Sequence, residues 1–243
     1  MRPDPFGLAN SRAEDRIQLL DAARGLCVVV MVVYHLCFDL WCYGLLPGWG
    51  PENRLLQLIQ FFFASCFLFI SGICCRFSRS NVRRGGRVIG WALVVTLVSW
   101  AVGAPIWFGI LHLLGCAMLL YGAAGDWLER REPRRFPLFC GLGLLLTLPL
   151  VNRRFPVYGL FWLGLPSPTF TSADYYPLLP WLFVFLLGTW AGGFVKQRRL
   201  PDWFYTRSCP LLPAIGRKSL LIYLLHQPVC FAAAALLART AAK

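Results

Sequence analysis

Acidic residues are scarce in this chain. Eleven Asp and Glu stand against 24 Lys and Arg, and charged residues of all kinds fill only 14% of the 243 positions. Soluble domains carry about a quarter charged residues. So little charge, beside 58% hydrophobic residues and a mean hydropathy of +0.59, excludes an ordinary soluble fold. Histidine is scarce too, with three in all. No CxxC and no Cys/His spacing of a metal site occurs, so no metal is expected. There are ten cysteines, but Cys27, Cys37, Cys66, Cys74, Cys75, Cys116, Cys140 and Cys230 lie inside apolar stretches, where a free thiol behaves as a small hydrophobe. Only Cys42 and Cys209 fall near water, and a disulfide framework is not expected. Internal repeats and low-complexity tracts are lacking. The net charge of +13 is not gathered on a polar module with aromatic platforms, which argues against a nucleic-acid partner. No small-residue cleavage site follows a short apolar core near Met1, so the first apolar stretch is expected to remain as an anchor.

What the chain does have is long apolar runs. Seven stand out: Leu26–Tyr43, Leu55–Cys75, Val88–Val102, Pro105–Tyr121, Phe136–Val151, Leu178–Val195 and Leu220–Leu237. The turn signal Gly103-Ala104-Pro105 divides the third from the fourth. The expected class is all-α, a polytopic transmembrane helix bundle of about seven spans in the lipid bilayer. Basic residues set its orientation. With the N-terminus inside, all but Arg54, Arg153, Arg154, Arg239 and Lys243 of the 24 fall on the inner side, which fits N-inside and C-outside. One integral-membrane domain over residues 1–243 is expected, opening with a short cytoplasmic segment at 1–18. The outer connection Asn152–Pro177 is long enough to cap a site.

The first run carries the ionisable groups. Arg24 and His35 lie eleven positions apart, three turns plus about 20°, so they leave one helix face, and Asp21 and Asp39 lie only about 60° away. Ionisable groups on a stripe of a membrane helix point to an internal polar site. Asp39, one turn from His35, is placed to accept its ring N–H and fix the tautomer. An imidazole so held is a general base for a hydroxyl or amine, or a nucleophile that accepts an acyl group. Arg24 cannot give up a proton and is read as positioning or bracing. His112 fits a structural hydrogen-bonding role between helices. Ser219, Tyr223 and His226 share one helical face, with Gln227 beside them. On the inner side Arg76, Arg79, Arg83, Arg84 and Arg87 form a cluster denser than topology needs. It is either a lipid-facing collar or a phosphate site built of guanidinium forks.

Arg24-x10-His35 resembles the arginine-x10-histidine signature of the membrane acyltransferase-three family. LDAARG at 20–25, FLFISG at 67–72, FGILHLLG at 108–115, DYYPLLPWLFVFLLG at 174–188 and GRKSLLIYLLHQP at 216–228 resemble the related heparan-α-glucosaminide N-acetyltransferase catalytic-domain family. The heparan-type enzymes carry asparagine where His35 stands, so there the chain follows the acyltransferase-three pattern. The resemblance implies a multi-pass enzyme of a bacterial cytoplasmic membrane. It would move an acetyl or similar group from cytoplasmic acyl-CoA to a sugar or other envelope acceptor. It implies His35 as the catalytic histidine with Arg24 as its motif partner, and Arg76, Arg83, Arg84 and Arg87 as contacts to the CoA phosphates. Asp39 completes the catalytic set, and His112, Tyr223 and His226 are supporting residues. The competing expectations are a small-solute or lipid transporter that uses intramembrane His and Asp as a proton relay, and a non-enzymatic assembly factor.

Overall fold

The computed structural model describes residues 16–125, 135–151, 153–207 and 209–241. The start of the expected cytoplasmic segment, residues 1–15, lies outside them, as do Arg130, Arg131, Arg134, Asn152 and Lys243. Helix makes up 72% of the described residues and no strand occurs among them, so the protein is all-α. The main helices are α1 (Gln18–Cys42), α2 (Arg54–Cys75), α3 (Asn81–Ala101), α4 (Ile110–Leu120), α5 (Phe136–Thr147), α6 (Leu178–Lys196), α7 (Asp202–Thr206), α8 (Leu212–Arg217) and α9 (Ser219–Ala241). A π-helical turn, Tyr121–Gly125, extends α4, and a 3-10 turn, Leu148–Leu150, extends α5.

The seven long helices occupy the seven apolar runs. Four of them, α1, α2, α6 and α9, are long and apolar enough to cross a membrane. Helix α3 has 21 residues but places Arg83, Arg84 and Arg87 in its first two turns. The helix starts differ from expectation in three places, each for a local reason. Helix α1 begins eight residues before Leu26, because Leu20, Asp21, Ala22 and Gly25 are themselves buried. Helix α3 begins seven residues before Val88, because the Ser80 hydroxyl accepts from Arg83 N at 3.3 Å and caps it there. Helix α4 begins five residues after Pro105, because the backbone of 105–108 bonds to the outer loop instead.

The chain forms two compact units, residues 1–67 with 200–243, and residues 68–199. In the first, α1 packs on α8 and α9. The Asn53 carboxamide caps α2 by accepting from Leu55 N and Leu56 N at 3.0 and 3.2 Å. Gly25 of α1 and Gly216 of α8 meet backbone to backbone: a Cβ on Gly25 would enter the Leu212 carbonyl, and one on Gly216 the Asp21 carbonyl. Further along, the Cys230 thiol of α9 reaches the Val32 carbonyl of α1 at 3.7 Å. Close approach through small residues is the usual way helices associate where lipid supplies no hydrophobic drive.

The second unit repeats this device. Gly72 of α2 faces the Phe185 carbonyl of α6, and Gly188 of α6 faces the Phe69 carbonyl of α2. Gly85 of α3 and Gly115 of α4 form another close contact, with Gly115 against Ile89. Leu68, Leu113, Ala117, Phe136, Cys140, Phe185 and Thr189 are almost fully buried in this unit. Its outer loop is knitted to the entry of α4. Ala173 N donates to Pro105 O at 3.0 Å, Tyr176 N to Phe108 O at 2.9 Å, and Trp107 N to the Ser172 hydroxyl at 3.1 Å.

Candidate active site

In the first unit the polar residues of α1 and α9 meet. Arg24, on the second turn of α1, reaches the Asp21 carboxylate and the Gly216 carbonyl, each at 3.5 Å. Gly216 lies in the last turn of α8, where free carbonyls favour a cation. Arg24 therefore ties α1 to the end of α8. His35 lies about 16 Å further along the same helix by its rise per residue, so Arg24 and His35 stand at separate places.

His35 is half-buried. Its ring centroid lies 4.8 Å from that of His226 on α9, with the planes at 62°, and 5.6 Å from that of Tyr34. The expected hydrogen bond from His35 to Asp39 does not form. Both oxygens of the buried Asp39 carboxylate are taken by the Gln227 amide, at 3.1 and 3.2 Å. A shared face on α1 put Asp39 one turn from His35, but α9 places a single amide nitrogen between the two carboxylate oxygens and turns Asp39 toward Gln227 instead.

His226 is the most constrained member of this group. Its Nδ1 lies 2.6 Å from the Tyr223 carbonyl, which can only accept, so Nδ1 carries the ring hydrogen. Nε2 is then a lone-pair nitrogen, and it is buried with no hydrogen-bond partner. The Tyr223 ring packs against the same imidazole at 5.4 Å.

The second unit holds a basic pocket of about 370 Å³ where α2 ends and α3 begins. Arg76, Arg79 and Lys196 supply its charge, and Ser78, Ser80, Asn81 and Tyr121 its polar walls. Arg76 Nη1 donates to the Tyr121 hydroxyl at 2.9 Å, and its stem lies against Gly192, where a Cβ would come within 2.7 Å. Asn81 Nδ2 donates to the Cys75 carbonyl at 3.1 Å, while its Oδ1 is buried without a partner. Of the four arginines expected to act together, only Arg76 lines this pocket. Arg83 and Arg87 are exposed and Arg84 half-buried on the turns of α3. Arg79 stood in the inner arginine cluster but not among the CoA contacts that the resemblance implies, and Asn81, Tyr121 and Lys196 stood in neither. The signal for Lys196 was its place at the very end of an apolar run, behind Gly192-Gly193.

His112, also in the second unit, is closed in a chain of hydrogen bonds. Gly109 N donates to Nδ1 at 3.3 Å, which leaves Nε2 to carry the hydrogen and donate to the Thr96 hydroxyl at 3.2 Å. Thr96 passes its own hydrogen to the Ile106 carbonyl at 2.6 Å. One ring nitrogen caps the start of α4 and the other ties it to α3. On the outer loop, Tyr175 donates its hydroxyl to the Phe161 carbonyl at 2.6 Å. Burial pushes that phenol up to about 12, against a smaller opposing pull from Arg154.

Residues 16–228 match the family described as heparan-alpha-glucosaminide N-acetyltransferase, catalytic. The chain belongs to that family. No curated protein and no solved structure matches it. Membership makes the protein an integral membrane enzyme of acetyltransferase type. It also gives the glycine contacts a meaning. The phrases LDAARG and GRKSLLIYLLHQP are mated through Gly25 and Gly216, and FLFISG and the 174–188 phrase through Gly72 and Gly188.

Proposed function

We propose that the protein transfers an acetyl or similar acyl group from cytoplasmic acyl-CoA to a hydroxyl or amine of a sugar or other envelope acceptor. On this reading all seven long helices cross the membrane, with the N-terminus inside and the C-terminus outside, as one integral-membrane domain of a bacterial cytoplasmic membrane. The observation that carries the reading is the imidazole pair on α1 and α9, within the span matched to an acetyltransferase family.

His35, the more accessible of the pair, takes the proton from the acceptor. The acceptor oxygen or nitrogen bonds to the thioester carbonyl carbon, the carbon–sulfur bond breaks, and the departing thiolate recovers the proton from His35. A short-lived acyl-histidine at the same ring is the alternative course. Arg24 braces α1 on α8. Arg76, Arg79 and Lys196 hold CoA phosphate oxygens, with the N-terminus of α3 adding its dipole. The pocket lies at the small end of the size range of small-molecule sites.

Purified protein in lipid nanodiscs, given labelled acetyl-CoA and a panel of sugar acceptors, tests this directly. Transfer that disappears in His35→Ala supports it. Equal turnover in wild type and His35→Ala would overturn the role of His35. Failure of CoA to raise the melting temperature would favour a transporter.

A further inference from the structure

We infer that His226 sets the tautomer of His35 by accepting its ring N–H, the part that spacing along α1 suggested for Asp39. The inference rests on the acyl-transfer reading of His35 and makes His226 a positioning residue. Asp39 does not take this part: it makes no hydrogen bond to His35, and its carboxylate is turned to the Gln227 amide nitrogen. The Tyr223 carbonyl forces the hydrogen of His226 onto Nδ1, so Nε2 can only accept. That nitrogen has no partner although His226 is 92% buried, and a buried acceptor left empty is destabilising.

The ring beside it is His35, with a centroid separation of 4.8 Å. Two imidazoles joined by an N–H···N bond have centroids about 5 Å apart, from ring radii of about 1.1 Å each and a nitrogen separation of about 2.9 Å. A small rotation of His35 therefore completes the bond without moving either helix. With one nitrogen donating to His226, the other nitrogen of His35 presents its lone pair to the acceptor or the thioester. When it gains a proton, the imidazolium keeps a neutral acceptor behind it, and the same arrangement serves direct attack and acyl-histidine alike. Carboxylates usually fill this position behind a catalytic imidazole. A neutral imidazole with a fixed tautomer does so here without a buried charge.

The chain has only three histidines, so nitrogen-15 NMR of histidine-labelled protein can assign each by its own substitution. The wild type should show His226 protonated at Nδ1 and His35 in one tautomer. His226→Phe, which keeps the ring volume but removes the acceptor, should release His35 into a mixture. His226→Gln, whose amide oxygen reaches the Nε2 position, should restore the single tautomer. In turnover assays His226→Phe should lower kcat about 100-fold or more with KM for acetyl-CoA within about threefold, and His226→Gln should recover to within about tenfold of wild type. A His35 tautomer unchanged in His226→Phe overturns the inference, as does equal activity of the Phe and Gln variants. Tautomers that respond as described in a protein with no transferase activity would uphold the pairing and refute the acyl-transfer reading.

Discussion

Gly25 and Gly216 stand backbone against backbone: a side chain on either would collide with backbone atoms of the other's helix, not with a movable side chain. Backbone collisions relax poorly. Alanine at either position should cost about 1–3 kcal/mol, the usual penalty of overpacking, and the double variant should cost less than the two single effects added, because both strain the same contact and one displacement of α8 eases both. Melting temperatures of the detergent-solubilised single and double variants would measure this.

The basic pocket separates arginines that are neighbours in sequence. Arg76→Ala should weaken CoA binding by about tenfold or more, the loss of one charge-assisted phosphate contact of about 1.5–3 kcal/mol. Arg87→Ala, exposed and outside the pocket, should change it by less than about twofold. Calorimetric titration with CoA and with dephospho-CoA reads both. Equal losses in the two variants would show that the whole collar, not the pocket, attracts the ligand.

His112 is expected to matter for stability alone. His112→Phe removes a donor and an acceptor from a closed chain, so it should lower stability by about 1–3 kcal/mol. Thr96→Val should produce a similar loss, and the double variant should show strong coupling. KM for acetyl-CoA should stay at its wild-type value at temperatures where the variants remain folded.

Tyr175 gives a pH-dependent prediction in the outer loop. Its proton is held more tightly folded than unfolded, so the stabilisation is complete below about pH 10, the ordinary tyrosine value. It is lost as the pH rises through about 12. Tyr175→Phe should lose up to about 1 kcal/mol at neutral pH, the worth of one hydrogen bond. The difference between wild type and variant should shrink between pH 10 and 12, in thermal unfolding followed at each pH.

The helices were legible because apolar runs in a membrane protein are bounded by charges and turns. Asn53, Ser80 and the Gly103–Pro105 turn stand where one helix starts or another ends. The burial of Asp39 by Gln227 was not legible. Positions one turn apart on α1 can be read from the period of a helix, but which of them wins a partner depends on how α9 is rotated against it. The same holds for the arginines. Sequence proximity grouped Arg76 and Arg79 with Arg83, Arg84 and Arg87, while the helical start at Asn81 fans the last three around α3 and leaves the pocket to Arg76, Arg79 and Lys196. Helix α8 was missed altogether, since Leu212–Arg217 is too short for a periodic signal and is held in place by Gly25 and Arg24.

The apolar part of α3, from Val88 to Ala101, measures about 21 Å at 1.5 Å per residue. Helix α4 with its π turn and α5 with its 3-10 turn are also shorter than 18 residues. The hydrocarbon core of a bilayer is about 30 Å thick. On the seven-span reading, lipid around this unit must pinch inward to meet its helices.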